Sequence, residues 1–135
     1  MSVAKIEELL AGGGLGFGRL EDRKWKISRG GNGLSGFLEW ADNSGGGLLR
    51  IYATLGKLPP DAEPQFFKEI FRKNRDMGHG AFALMGEDVV IFIDTLELEN
   101  CDQNEMDAAV SWLLKSAEIY RERLDKSKLP YIDAL

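Results

Sequence analysis

Hydrophobic positions fall at helical spacing at both ends of the chain and at strand spacing through most of the middle. Val3, Ile6, Leu9 and Leu10 recur every three or four residues over 3–11, predicting a short amphipathic helix. The glycines at 12–14 stop it, because glycine takes the left-handed geometry of a helix end without steric cost. Trp25 and Ile27 alternate with lysines and a serine, a strand pattern. "GGNG" at 30–33 and "DNSGGG" at 42–47 read as turns around a second strand at 34–41, "LSGFLEWA". A third strand, "LLRIYATL", follows at 48–55. "LPPDAEP" ends the run of strands, since proline cannot donate to a ladder. Pro64 suits the first turn of a helix that runs to about Asn74 and stops before Gly78. "AFALM" and "VVIFIDTL" flank "GED" and predict a tight hairpin.

The last helix is the clearest element. Asp102 is placed as its N-cap, with Glu105 three residues on as capping-box partner. Met106, Ala109, Val110, Leu113, Ala117, Tyr120 and Leu124 make one continuous stripe. Glu105 and Asp107 at its start, and Arg121 and Arg123 at its end, complement the helix dipole. The expected order is helix, three strands, helix, two strands, helix. That pattern predicts an α+β domain, an antiparallel sheet with helices packed on it, over residues 1–124, with 125–135 as a C-terminal extension.

Sidedness is the informative feature. A sheet covered on one face should alternate apolar and polar residues. Val89, Ile91 and Ile93 oppose Val90 and Phe92, and Phe37 and Tyr52 oppose Leu38 and Ile51, so both faces carry apolar side chains. The middle helix is the expected cover for the second face, yet its own arc is wide. Phe66, Phe67, Ile70 and Phe71 span roughly 140° at 100° per residue. Either this arc is buried on the chain's own sheet or it is shared with a second copy, for which a homodimer is the simplest closed form. Leu10, Leu15, Phe17, Trp25, Phe37 and Trp40 are further candidates for exposed apolar surface, which an extended peptide could use.

Length and charge narrow the classes. The 135 residues suit one domain, large enough to do without a disulfide or a metal. Lys and Arg total 17 against 22 acids, a net charge of −5, which disfavours nucleic acid and anionic membrane as partners. The exception is 19–29, with five basic and two acidic residues around Trp25, which could touch a nucleic acid but reads more simply as an exposed strand decorated with lysine. A single cysteine allows no internal disulfide. No leader pattern or long apolar run is seen, and the expected location is the cytoplasm.

Catalytic motifs are sparse. "GGGLGFG" at 12–18 lacks the G-x-G-x-x-G register and follows a helix, so its glycines are expected to form a flexible loop. His79, the only histidine, sits in a glycine turn, and Cys101 has no basic neighbour in sequence. The carboxylate pairs Glu7/Glu8, Glu21/Asp22 and Glu87/Asp88 are consecutive and do not converge. The expectation is a protein without enzymatic activity, cofactor or metal.

"LRIYATLGKLP" places Leu49, Ile51, Ala53, Leu55, Gly56, Leu58 and Pro59 in a pattern that continues through the helix ending at Asn74. With "GAFALMGEDVVIFIDTLEL" and "AEIYRERL", the chain over roughly 4–124 resembles the type III secretion chaperones and the wider YbjN-like superfamily. The resemblance implies the α-β-β-β-α-β-β-α fold, a homodimer joined through the middle helix, and a client effector held as a non-globular segment, with no catalysis. Carried onto this sequence, it implies Phe66, Phe67, Ile70 and Phe71 at the dimer contact. It also implies Ile6, Leu9, Leu10, Trp25, Phe37 and Trp40 in client-binding grooves. The YbjN-like branch leaves open a regulatory protein of the same fold without a secretion client.

Overall fold

The computed structural model describes residues 2–29, 35–41, 47–58, 61 and 64–125. Helix α1 (Val3–Gly12) begins at Ser2, whose hydroxyl accepts from the Lys5 amide at 3.1 Å. A hairpin follows, β1 (Gly16–Glu21) and β2 (Lys24–Ser28), then β3 (Gly36–Ala41) and β4 (Leu48–Lys57). Helix α2 (Pro64–Asp76) precedes the hairpin β5 (Ala81–Met85) and β6 (Val89–Glu97). A single 3-10 turn (Leu98–Asn100) leads into α3 (Gln103–Asp125). The six strands form one antiparallel sheet in the order β1-β2-β3-β4-β6-β5.

The expected fold class holds, with one strand more than the pattern predicts. Gly16 and Gly18 belong to β1 and pair with Ser28 and Lys26, so these glycines form a strand and not a flexible loop. The pattern is silent there because every residue of β1 is exposed, leaving no apolar alternation to read. The C-terminal extension lies outside the described residues except for its first residue, Asp125.

All three helices pack on one face of the sheet. Ile6, Leu9 and Leu10 of α1, Trp25, Leu38, Ile51, Ala53 and Phe92 of the strands, and Met106, Val110, Leu113 and Ala117 of α3 share one buried core. Gln103 ties α1 to α3, donating to the Leu9 carbonyl at 2.8 Å and to Asp107 Oδ1 at 2.7 Å. The Leu9 carbonyl, which also accepts from the Gly13 amide at 3.3 Å, is thereby held from 94 residues away.

The expected cover of the second face is a correction. Phe66 of α2 joins the same cluster as Phe82, Val90 and Phe92, so α2 sits at the β5 margin of the helix-bearing face. The opposite face meets no helix among the described residues. It carries Phe37 and Tyr52, stacked with ring centroids 5.4 Å apart, together with Ile91 and Ile93. Lys24 closes over this pair, 5.5 Å from the Phe37 ring, and its hydrogen bond with the Tyr52 hydroxyl pushes its pKa up. The ammonium thus screens the aromatic pair from above.

Candidate functional site

The most exposed large apolar side chain of the described residues stands on α2. Phe66 is 1% exposed, Phe67 and Ile70 are half-buried, and Phe71 is 70% exposed. Helical geometry explains the split. Positions 66 and 70 face the sheet, 67 lies at the rim, and 71 projects beyond the sheet margin. Phe66, Phe67, Ile70 and Phe71 line a groove of about 190 Å³ with Leu58, Phe82, Leu84 and Val90. Leu84, half exposed on the edge strand β5, extends the apolar surface.

Asn74 fixes α2 to that edge. Its Nδ2 donates to the Phe82 carbonyl at 3.1 Å, and its Oδ1 accepts from the Phe82 amide at 2.8 Å. One side chain therefore satisfies both backbone groups of Phe82 on the strand's outer rim, where an open edge would invite pairing. Replacing Asn74 with Ala should cost about 1–3 kcal/mol in urea unfolding. Hydrogen exchange at the Phe82 amide should quicken; an unchanged rate would show that these bonds do not hold the edge.

The other sheet edge is open. All six residues of β1 are exposed, Phe17 and Leu20 among them at 38% and 54%. A Cβ built at Gly18 would meet nothing within 4 Å, so no described element packs over the sheet face there.

Four of the six residues expected in client-binding grooves lie in the core, and this is a correction. Ile6, Leu10 and Trp25 are 0% exposed and Leu9 4%. They are core because α1 lays its apolar stripe against α3 and Trp25 points inward, its Nε1 donating to Glu7 Oε2 at 3.1 Å. Phe37 and Trp40 remain half-buried but lie on opposite faces, since residues three apart in a strand alternate. Arg23 covers the Trp40 ring at 4.4 Å. Phe66, expected at a dimer contact, is likewise interior.

Chemistry at titratable groups is limited. Burial, with Glu105 and Asp102 nearby, pushes the Cys101 thiol up, away from the reactive thiolate. Burial also raises the Tyr120 hydroxyl, packed edge-on against Phe82 at 4.7 Å. Among the described residues no cluster of His, Cys, Asp and Glu could hold a metal ion, and no helix is long and apolar enough to cross a membrane.

The chain is a small α+β unit with helices on one sheet face and exposed apolar side chains at both edges of the sheet. The CesT_Tir_1 family model matches residues 45–127, from just before β4 to the end of α3. The chain belongs to the CesT_Tir_1 family. Its fold is the type III secretion chaperone-like and YbjN-like one that the sequence resemblance implied. No curated protein sequence matches it. Among solved structures, it is similar to a chain of the heterodimeric ExoU–SpcU complex from the type III secretion system of Pseudomonas aeruginosa. Identity there is 13%, with 87% of this chain and 95% of that chain covered and a TM-score of 0.67. It is similar to the Yersinia pestis type III secretion chaperone SycH, solved with a stable fragment of YscM2. That match has 16% identity, coverage of 87% and 97%, and a TM-score of 0.59. YbjN from E. coli matches at 10% identity, with 89% and 85% covered and a TM-score of 0.59. At these identities the likeness is one of fold.

Sequence reasoning missed three features of this surface. Leu84 and Leu20 drew no attention because single exposed leucines are ordinary in any sequence. Trp112, 40% exposed on α3, falls outside the stripe that defines the helix. Its spacing from Glu105 and Ala108 at seven and four residues was the available signal.

Proposed function

We propose that this protein is a non-enzymatic, dimeric protein-binding module of the secretion-chaperone type that holds an extended segment of a client protein in the cytoplasm. The observation that carries the reading is the apolar face of α2, with Phe71 exposed beside a groove that no described element fills, in a member of a chaperone family. Phe67, Ile70, Phe71 and Leu84 supply the dimer contact, and Phe66 supports it from within. A two-fold axis through α2 would stack each arc on its copy, an isologous arrangement that closes without further subunits. The client segment adds to the free edge of β1, where backbone hydrogen bonds give affinity and Phe17 and Leu20 give side-chain contacts. Burying a few hundred Å² of apolar surface at roughly 25 cal/mol per Å² contributes several kcal/mol before ordering costs. SycH carrying a YscM2 fragment supports this use of the fold. The similarity to YbjN supports a second reading, a regulatory protein of the same fold with no secretion client.

Co-expression with the product of an adjacent gene separates the two. The chaperone reading expects a complex that comigrates on size exclusion and keeps a client soluble that aggregates alone. If every neighbouring product is soluble by itself and none comigrates, the client-holding role fails.

A further inference from the structure

A second groove, distinct from the α2 face, opens between β6 and the first turns of α3. It holds about 380 Å³ and is lined by His79, Asp94, Leu96, Glu105, Ala109 and Trp112, with Ala108 beside them. That volume lies at the low end for small-molecule pockets.

Its chemistry is mixed in a specific way. Asp94 pairs with Ile51 across the sheet, so a carboxylate stands in the helix-facing row that contains Trp25, Leu38 and Ile51. One of its oxygens accepts from the Thr95 amide at 2.9 Å, and no cation pairs with it among the described residues. Glu105 likewise has no cation paired with it among the described residues. Its amide donates to Asp102 Oδ1 at 2.8 Å, but its carboxylate makes no return bond, so only half of the expected capping box forms. Trp112 forms the wall, its ring packed against Phe92 at 5.6 Å and close to the His79 ring at 6.0 Å. Gly80, at φ +78°, lets the Trp112 and Phe92 rings lie there, since a Cβ would come within 3.0 Å of both.

An apolar groove with an indole wall and, among the described residues, two carboxylates without a cation partner and no lysine or arginine in its lining calls for a cation with an aliphatic stem. A metal ion would leave the indole and the alanines unused. A planar guanidinium stacks on an indole and forks toward carboxylates better than a compact ammonium. We propose that this groove takes one arginine side chain of a bound polypeptide, guanidinium on Trp112, charge met by Asp94 and Glu105, methylenes over Leu96 and Ala109. The proposal rests on the protein-binding reading above and names part of what a client would present.

The test uses the whole protein labelled with ¹⁵N and the peptide acetyl-Ala-Arg-Ala-amide, followed at the Trp112 indole N–H by NMR. The same peptide with norleucine in place of arginine serves as the apolar control. The arginine peptide should shift the Trp112 resonance saturably, with the norleucine peptide about tenfold weaker and the lysine peptide in between. The double variant Asp94→Asn, Glu105→Gln keeps shape and removes charge, and should weaken the arginine peptide about tenfold. An unmoved Trp25 indole resonance reports an intact core in that variant. Equal binding of arginine and norleucine peptides, no loss in the double variant, or no shift at Trp112 would each overturn the proposal. The probe needs neither a client nor a second copy, so failure of the proposed function and failure of this pocket are read separately.

Discussion

Phe71→Asp is expected to convert the dimer proposed above to a folded monomer of 15.0 kDa, read by light scattering. The argument begins with exposure. Phe71 is 70% exposed in the single chain, so an aspartate there breaks no internal packing and the circular dichroism and melting temperature of the subunit should be nearly unchanged. In a two-fold contact the same substitution enters twice, because each copy presents the same face. An unpaired charge buried at a packed contact costs about 3–5 kcal/mol. Two of them raise the dissociation constant by more than about four orders of magnitude. Phe66→Asp offers the contrast, since that ring is interior and its replacement should unfold the chain instead of separating copies. If the Phe71 variant keeps the mass of the unaltered protein, α2 is not where copies meet.

Trp25→Ala should lower the melting temperature by roughly 10–20 °C. Removing a buried tryptophan costs about 3–5 kcal/mol, and each kcal/mol moves the midpoint by a few degrees in a domain of this size. The side chain is inaccessible, sits in the cluster that joins α1 to the sheet, and donates to Glu7, whose carboxylate would lose its closest partner. Arg19 remains 3.7 Å from that carboxylate and offsets part of the loss. Were Trp25 instead a client contact, its alanine variant would melt normally and bind poorly. A melting midpoint within a degree or two of the parent would therefore return Trp25 to the surface.

Trp25 also shows where sequence reasoning reaches its limit. Alternation with lysines identified β2 correctly, because the period of a strand is local geometry. It could not tell whether the apolar side faced a helix layer or a ligand, since both are dry. Helix α2 repeats the lesson. The wide arc from Phe66 to Phe71 was visible at 100° per residue, but burying Phe66 and leaving Phe71 outside depends on where the margin of β5 falls beneath the helix. Phe37 and Trp40 sit three apart in one strand, so their separation onto opposite faces was readable from the strand period.

Sequence alone determined the fold class, the three helices, five of the six strands and the family, because turn residues, caps and hydrophobic periods act over a few residues at a time. The exposed strand β1 escaped it, having no inward residue to set a period. Only the tertiary structure decided that all three helices share one face, that Asn74 closes the β5 edge, and that Asp94, Glu105 and Trp112 meet around one groove. Those arrangements bring together residues far apart in the chain, and they follow from how the layers stack, which no local pattern encodes.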